Sequence, residues 1–312
     1  MTEAPREEDW LPAAGDLVFV GGTGRSGTHV LARLLGRHPR FTGIPIEARF
    51  HCNKRGMPDL LGGRVTQAGF VEKLRDFWWH RVRVDGQPRG LYNLLTRRQF
   101  DLAVERFEAA YVPDPVGACR RLFRDLLWPL ATEEGKPGLV EMSSHNIRAA
   151  QTLRRLFPEA RFVHAVRDGR DAASSVATKT WGPDGILEGI DWWADRLRAI
   201  EAGVRGSEDG AAYALGPDQL LTVVLDDLVW GDREGAYGRL LDFLEVDDEP
   251  AMREFFERQM NPAAAHLARW REGLGRVARV RVERRYESAL AALDREGNHV
   301  ARPLIECHER LG

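Results

Sequence analysis

Residues 17–30 read Leu-Val-Phe-Val-Gly-Gly-Thr-Gly-Arg-Ser-Gly-Thr-His-Val. The apolar run at 17–20 is typical of a strand that is buried on both faces, as the strands of parallel sheets are. Apolar residues then recur at 30, 31, 34 and 35, which is the spacing of a helix that buries one side. The stretch therefore predicts a strand, a glycine-rich turn and a helix in direct succession.

Three further apolar runs predict strands at 138–142, 161–166 and 221–225. A helix at 147–157, with Asn146 as its expected N-cap, fits between the first two, and such strand–helix–strand units build parallel sheets. We therefore expect an α/β protein whose central parallel sheet carries helices on both faces. Further helices are predicted at 186–205, 233–244 and 249–258.

The composition bears on domain organisation and excludes several classes of protein. No linker-like stretch divides the chain, so residues 1–312 are expected to form a single domain, with 50–135 as a helical insertion. The formal net charge is −2, so no bulk attraction draws the chain to nucleic acid or to anionic membranes. The three cysteines are far apart, and no apolar run approaches the roughly 20 residues of a membrane span. We expect a cytoplasmic protein; its near-exclusive use of arginine over lysine is typical of a GC-rich bacterial genome.

The glycine-rich turn at 21–29 has the chemistry of an anion site. Its glycines permit a left-handed backbone, and the turn presents amides at a helix N-terminus, where the helix dipole favours negative charge. Ser26 and Thr28 add hydroxyl donors, and Arg25 adds a fixed cationic fork. The alternative is a turn whose glycines only allow the strand and the helix to pack closely.

Two kinds of nucleotide site compete for this turn. Residues 22–27 match the G-x-G-x-x-G pattern of dinucleotide-binding folds, and Glu47 lies 20 residues past Gly27, where a ribose-binding acid is expected. That pattern would make the protein an NAD(P)-dependent oxidoreductase. A Walker A loop requires a lysine after Gly27, where Thr28 stands. Residues 222–226 still match a Walker B strand, so a P-loop kinase that uses ATP stays open.

A third interpretation comes from a family resemblance. The segment Gly24-Arg25-Ser26-Gly27-Thr28, followed by His38-Pro39, resembles the 5′-phosphosulfate loop of sulfotransferases that use 3′-phosphoadenosine-5′-phosphosulfate (PAPS). Arg25 stands at the basic position, as in the tyrosylprotein and bacterial branch, and His29 replaces a second hydroxyl. The resemblance implies a P-loop NTPase-like sulfotransferase fold, a three-layer sandwich around the parallel sheet. The residues that it assigns to PAPS binding in this loop are Gly24, Arg25, Ser26, Gly27, Thr28 and His29.

Residues 162–175 form a second predicted strand, turn and helix start. Arg167 ends the strand and Ser175 follows eight residues later, so the helix can turn both side chains toward one anion. The pair resembles the 3′-phosphate site of the same family. The alternative is an ion pair of Arg167 with Asp168 or Asp171 in a surface turn, where such pairs contribute about 0–1 kcal/mol.

The resemblance implies transfer of a sulfuryl group from PAPS to a hydroxyl, or less favourably an amine, of a small-molecule acceptor, with release of adenosine 3′,5′-bisphosphate. Arg25 would stabilise charge on the leaving phosphate, and no metal is required. Glu47-Ala48-Arg49 resembles the Glu-x-Arg that supplies the general base in tyrosylprotein sulfotransferases, and the alternative is an ordinary ion pair of Glu47 with Arg49. If Glu47 is buried, its pKa is expected to be raised, which would make it a better base at neutral pH.

His145 is the rival base, because aryl sulfotransferases place a histidine after a strand in the same region of the chain. A protein that kept the anion sites and lacked a working base would be a nucleotide sensor. The insertion at 50–135 is expected to shape the acceptor site. Its arginine-rich part, 81–106, is expected to be a solvated helix face, with contact to an anionic or nucleotide-like acceptor as the alternative. Arg170 is likewise expected to be a solvated charge.

Overall fold

The computed structural model describes residues 10–82, 86–206 and 212–311, and a parallel sheet lies at its centre. The strands are β1 (Leu17–Gly21), β2 (Phe41–Gly43), β3 (Gly138–Glu141), β4 (Arg161–Val166) and β5 (Leu220–Val224). They pair in parallel in the order β2-β3-β1-β4-β5. The sequence predicts four of these strands to within one residue at each end. It misses β2, because three residues are too few to show a period.

Helices precede and follow the strands along the described chain. They are α1 (Thr28–Leu35), α2 (Met57–Leu61), α3 (Gln67–Lys73), α4 (Arg97–Tyr111), α5 (Pro115–Glu133), α6 (Ala150–Leu156), α7 (Gly169–Ala177), α8 (Ile186–Arg205), α9 (Leu225–Val229), α10 (Arg233–Leu244), α11 (Pro250–Gln259), α12 (Pro262–Ala265), α13 (Arg276–Arg295) and α14 (Ala301–Leu311). The three helices predicted at 186–205, 233–244 and 249–258 correspond to α8, α10 and α11. The predicted and observed bounds of these three helices agree to within one residue.

Successive side chains of β1 point to opposite faces of the sheet and fill two separate cores. Leu17 and Phe19 join α5 and α6 in one core, and Val18 and Val20 join α1, α10 and α11 in the other. All five residues of β1 are buried, as expected for a central strand that is covered on both faces. The predicted three-layer sandwich with a central parallel sheet is therefore confirmed.

The strand order separates this sheet from dinucleotide-binding folds. Their doubly wound sheet runs 3-2-1-4-5-6, with the first and second strands adjacent. In this protein β3 lies between β1 and β2. The NAD(P)-binding interpretation is therefore wrong on topology, although the glycine pattern matches it.

The segment between β3 and α6 differs from the prediction. Residues 144–149 form turns, so α6 begins only at Ala150. Asn146 is not an N-cap, because its amide donates to the carbonyl of Val20 at 3.0 Å and to Glu141 Oε2 at 2.7 Å. The side chain thus ties the end of β1 to the end of β3, and a pattern within one segment cannot reveal such a contact.

Residues 50–135 contain α2 to α5 and share the apolar core that includes Phe19. Within this region α5 packs against β2, β3 and α6. The region is therefore built onto the sheet and does not have a core of its own. Its assignment as an insertion that shapes an acceptor site stays a prediction.

Candidate functional site

The glycine-rich loop joins β1 directly to α1 and has a left-handed backbone at three places. The φ angle is +84° at Gly24, +61° at Arg25 and +91° at Gly27. Such residues curl the chain so that successive amides point inward, which creates a concave anion site at a helix N-terminus. Among the described residues no side chain caps α1, so a bound anion would satisfy its first amides.

Close packing requires a glycine at position 22. A Cβ there would lie 2.4 Å from both the Ala165 carbonyl oxygen and Ser26 Oγ, whereas a Cβ at Gly24 meets nothing within 4 Å. We expect Gly22→Ala to destabilise the fold by about 1–3 kcal/mol through overpacking, and Gly24→Ala by roughly 1 kcal/mol through backbone strain alone. Urea denaturation of both variants measures the two losses. Equal losses would mean that the loop relaxes around a side chain at position 22.

The hydroxyl of Ser26 is buried inside this loop. Ser26 is 1% exposed, and its Oγ has no hydrogen-bond partner among the described residues. A buried polar group without a partner costs about 1–3 kcal/mol, so it points to a ligand that would satisfy it. Thr28, which lies two residues after Ser26 and is the first residue of α1, is also buried.

His29 follows the loop hydroxyls and is neutral at pH 7. Burial lowers its pKa, and the guanidinium groups of Arg89 and Arg25 add to this effect, although the Glu47 carboxylate opposes it. A neutral imidazole can donate one hydrogen bond and accept another. His29 therefore lies in the electrostatic range of both the loop and Glu47.

Arg167 ends β4, and its side chain lies inside the protein with 8% of the residue exposed. Its Nη2 donates to the carbonyls of Ala265 at 2.7 Å and of His266 at 2.9 Å. The same nitrogen lies 3.6 Å from Asp171 Oδ2. Its Nε is buried and has no hydrogen-bond partner in the described part of the chain. The ion pair with Asp171 therefore exists, but it is not the surface pair that the alternative interpretation assumed.

The two predicted motifs meet in space. Arg25 Nε donates to Ser175 Oγ at 2.9 Å, a contact between residues 150 positions apart. It links the loop after β1 to α7, which follows the neighbouring strand β4. The structure thus brings Arg25 and Ser175 together, while convergence of Arg167 and Ser175 on one anion stays a prediction.

Arg170 is not a solvated charge. The residue is 7% exposed, and its guanidinium donates to both carboxylate oxygens of Asp168, at 3.0 Å from Nε to Oδ1 and 2.5 Å from Nη2 to Oδ2. Its guanidinium carbon also lies 5.0 Å from the ring centre of Trp270 and 4.6 Å from that of Tyr286. The prediction failed because those rings come from distant segments that the local sequence does not reveal.

A cavity of about 210 Å³ lies beside Arg170, where β4 and β5 end and α14 covers them. Trp270 and Asp226 are among its lining residues, and none of the residues that the sequence assigns to PAPS binding or to sulfuryl transfer is. Asp226 is the candidate Walker B carboxylate; its Oδ2 accepts the Asp168 amide at 2.8 Å, and burial raises its pKa to about 7. The carboxylate therefore forms a structural hydrogen bond between the start of α9 and the residue before α7.

Glu47 lies in a cluster of positive charge. Its Oε2 accepts from Arg49 Nε at 2.8 Å and from Arg81 Nη2 at 3.4 Å, and its Oε1 accepts from the Ser144 amide at 3.4 Å. Burial alone would raise the pKa of Glu47, but Arg49, His29 and Arg81 together hold it below the ordinary value of 4.5. The expected rise in pKa is therefore wrong, because the neighbouring cations outweigh burial and keep the carboxylate ionised.

His145 belongs to the same electrostatic environment. Its Nδ1 lies 2.6 Å from Asn53 Oδ1, so Nδ1 carries the proton and Nε2 is left as an acceptor. Burial lowers the pKa of His145 to about 4, and Arg148, Arg49 and Arg196 contribute to the shift. Both candidate bases are therefore unprotonated at pH 7.

A buried network holds the segment that carries Glu47. Glu141, at the end of β3, accepts from the Ala48 amide at 3.1 Å, from His51 Nε2 at 3.0 Å and from Ser143 Oγ at 2.7 Å. Ser143 Oγ in turn accepts the Arg49 amide at 3.0 Å. Burial opposes charge on both partners, but their attraction raises the pKa of His51 well above its ordinary value and lowers that of Glu141 to about 2. The pair is therefore ionised inside the protein.

Sequence reasoning missed this network. The available signal was an ionisable residue at the end of an otherwise apolar run, since Glu141 follows Leu139 and Val140 in β3. Its partner His51 lies 90 positions earlier in the chain, and both side chains are fully buried. Nothing in either segment alone shows that the two charges meet.

Two features are absent from residues 10–82, 86–206 and 212–311. No group of three or more His, Cys, Asp or Glu side chains is arranged there to hold a metal ion. No helix within these ranges has both the length and the apolar character needed to cross a bilayer.

Known proteins resemble this chain in sequence pattern and in fold. The sequence model of the sulfotransferase family matches residues 17–250. No curated protein matches the chain in sequence. Similar solved structures include the sulfotransferase domain of the olefin synthase from Synechococcus PCC 7002, with 20% identity over 91% of this chain and 97% of that chain and a TM-score of 0.48. The sulfotransferase domain from the curacin biosynthetic pathway has 16% identity over 82% and 83%, with a TM-score of 0.49. A mouse sulfotransferase complexed with PAP has 12% identity over 95% and 90%, with a TM-score of 0.41.

Proposed function

Because the family model covers more than half of its length, the chain belongs to the sulfotransferase family, and on that premise we propose a specific reaction for it. The protein transfers a sulfuryl group from PAPS to a hydroxyl, or less favourably an amine, of a small-molecule acceptor. The second product is adenosine 3′,5′-bisphosphate. A cytoplasmic location and a bacterial source are part of the same proposal.

Two buried polar atoms carry the proposal. Ser26 Oγ and Arg167 Nε each lack a hydrogen-bond partner among the described residues. They lie in or at the start of the segments that follow β1 and β4, which are neighbouring strands of the sheet. PAPS has two anionic ends, a 5′-phosphosulfate and a 3′-phosphate, that would satisfy one donor each. The residues at these two places therefore fit PAPS as the sulfuryl donor.

The chain's own residues supply the elements of sulfuryl transfer, which we treat like phosphoryl transfer. Arg25 and the loop amides would hold the 5′ end and stabilise charge on the phosphate as its bond to the sulfuryl group breaks. Glu47 would accept the proton of the acceptor hydroxyl while the acceptor oxygen bonds to sulfur. The lowered pKa of Glu47 keeps the carboxylate ionised at neutral pH. His145 Nε2 is the alternative proton acceptor.

The competing functions have less support. A P-loop kinase would need the lysine that this loop lacks, and its candidate magnesium ligand Asp226 already accepts the Asp168 amide. A nucleotide sensor would bind the bisphosphate and would show no sulfotransfer.

The first test is calorimetric binding of adenosine 3′,5′-bisphosphate beside ADP, ATP with Mg²⁺ and NAD⁺ at equal concentrations. A clear preference for the bisphosphate is expected, because only this ligand carries a phosphate for each orphaned donor. Preference for ATP or NAD⁺ would overturn the proposal. Bisphosphate binding without sulfuryl transfer to any phenol or alcohol in an acceptor panel would favour the sensor.

Substitution of Arg167 tests the 3′-phosphate site. Arg167→Ala is expected to weaken bisphosphate binding by about 1.5–3 kcal/mol, the range for a hydrogen bond to a charged group. The matched control is Arg161→Ala at the opposite end of β4, where Arg161 pairs with Glu245. The control should keep its affinity; unchanged affinity in Arg167→Ala would remove Arg167 from the site.

A further inference from the structure

Four arginines act on the candidate bases, two through hydrogen bonds to the segment of Glu47 and two through their charge on His145, and we call Arg81, Arg89, Arg148 and Arg196 the arginine cluster. Two of them hold the backbone that carries Glu47. Arg81 Nη1 donates to the Glu47 carbonyl at 2.7 Å, and Arg89 Nη1 donates to the Pro45 carbonyl at 3.4 Å. Both guanidinium groups are thus fixed in position on the segment 45–47, beside the candidate base.

The other two arginines lie on the His145 side. Arg148 lies three residues after His145, in the turns that precede α6. Arg196 lies on α8, with its guanidinium carbon 4.8 Å from the ring centre of Trp192. Burial is the main cause of the lowered pKa of His145, and the charges of Arg148 and Arg196 add to it. Burial also lowers the pKa of Arg196, and the charge of Arg148 adds to that shift. Two of the four cations therefore contact the segment that carries Glu47, and the other two act through their charge on His145.

Among the residues that the structure describes here, negative charge is smaller than positive charge. Two carboxylates of these described residues act on the same groups, Glu47 and Glu141. Glu47 is shared by Arg49 and Arg81, and Glu141 is paired with the protonated His51. Burial and the charge of Arg49 lower the pKa of Arg81 to about 10, which reflects cations held close together in a partly buried place. Such an arrangement is stabilised when an anion enters it.

We infer that the acceptor is itself an anion, with its hydroxyl at Glu47 and its carboxylate, phosphate or sulfate held by the arginine cluster. This inference rests on the proposed function, because it assigns an acceptor to the same site. Arg25 is left out of the cluster, since its contact with Ser175 assigns it to the donor. Arg81 and Arg89 of the cluster instead contact the segment that carries Glu47, where an acceptor must bind.

The arginine-rich segment 81–106 divides accordingly. Its first part, with Arg81 and Arg89, enters the site. Its second part lies on α4, where Arg97 pairs with Asp101 and Arg106 with Asp125, and both arginine side chains are more than half exposed. Among the described residues of this segment, the expected solvated face lies on α4, which also offers a control surface.

Three probes of one shape and different charge test the inference: 4-hydroxyphenylacetate, 4-ethylphenol and tyramine. Their binding to the full chain is measured by calorimetry, with and without saturating adenosine 3′,5′-bisphosphate. The anion is expected to bind at least about tenfold more tightly than the neutral and cationic probes. Raising the salt concentration should reduce that advantage, because exposed charges are screened.

Two double variants identify the arginines that are responsible. Arg148→Gln with Arg196→Gln should remove most of the anion preference and change bisphosphate affinity by less than twofold. Arg97→Gln with Arg106→Gln on α4 should change neither. Thermal unfolding midpoints of all variants establish that each is folded before its binding is compared.

The outcomes separate this inference from the proposed function. Bisphosphate binding with no preference among the probes overturns the anionic acceptor and leaves the sulfotransferase proposal standing. A tenfold loss of bisphosphate affinity in the Arg148/Arg196 variant assigns the cluster to the donor, and this also overturns the inference. No bisphosphate binding overturns the proposed function, and the probes without bisphosphate then still decide whether the cluster selects anions.

Discussion

Glu47→Gln is expected to lower kcat about 10²- to 10⁴-fold, the range for loss of a general base. The glutamine amide cannot accept the acceptor proton, yet it keeps nearly the same shape beside Arg49 and Arg81. Bisphosphate affinity should change far less than kcat, because Glu47 belongs to the acceptor side of the proposed reaction. Single-turnover kinetics and calorimetry on the same variant measure the two effects separately.

The control for this prediction is His145→Gln, which removes the other candidate base. Glu47 has a pKa below 4.5 and His145 a pKa of about 4, so neither group changes its charge between pH 6 and 8. The activity of the unmodified protein should therefore lack an acidic limb in that range. If Glu47→Gln keeps full turnover while His145→Gln loses it, the base is His145. An acidic limb near pH 7 would contradict both assignments.

His51→Leu is expected to destabilise the fold by about 3–5 kcal/mol, because it leaves the Glu141 carboxylate charged, buried and without its cationic partner. That loss is a large part of the roughly 5–15 kcal/mol by which a domain is stable. It should also loosen the segment around Ala48, whose amide Glu141 accepts. Urea denaturation measures the free energy of unfolding, and activity per folded molecule measures the effect on the site.

His164→Leu is the matched control, since His164 is equally buried and faces His299 in place of a carboxylate. Burial and His299 hold the pKa of His164 well below its ordinary value, so its removal leaves no unpaired charge. The control should lose about 1–3 kcal/mol, the cost of one unmade hydrogen bond. Equal losses in the two variants would show that the His51–Glu141 charge pair contributes nothing special.

The same pair sets a direction for the pH dependence of stability. The pKa of His51 is raised above 6.5, so its contribution is complete below pH 6.5 and is lost as pH rises through the folded-state value. The pKa of Glu141 is lowered to about 2, so its contribution is complete above pH 4.5 and is lost as pH falls toward 2. The pair therefore stabilises the fold fully between pH 4.5 and 6.5. His51→Leu should lose most stability, relative to the unmodified protein, in that window.

Much of the fold follows from local patterns in the chain. Residues 17–20, 138–142 and 161–166 are largely apolar runs too short for helices, and each forms a strand whose bounds agree with the prediction to within one residue. The glycine loop could also be predicted, because the left-handed backbone at Gly24 and Gly27 favours glycine. A period or a residue type is a property of one segment, so it survives without knowledge of the rest of the molecule.

The errors have two physical causes. Asn146 and Arg170 were misjudged because the deciding partners come from other segments. The pKa of Glu47 was misjudged although its largest opposing charge, Arg49, is only two residues away. For Glu47 the decision depends on a balance, since burial raises the pKa and neighbouring guanidinium groups lower it. The sign of that balance depends on distances of a few ångströms, and local sequence does not encode them.

Local patterns in the sequence predict four of the five described strands, the glycine loop at the end of β1 and the family that these residues resemble. Tertiary contacts set the strand order, the contact of Arg25 with Ser175, the buried pair of His51 with Glu141 and the charge state of Glu47. Backbone conformation is governed by neighbours along the chain, so patterns report it. Electrostatics inside a protein are governed by neighbours in space, and here those neighbours are 90 and 150 positions apart.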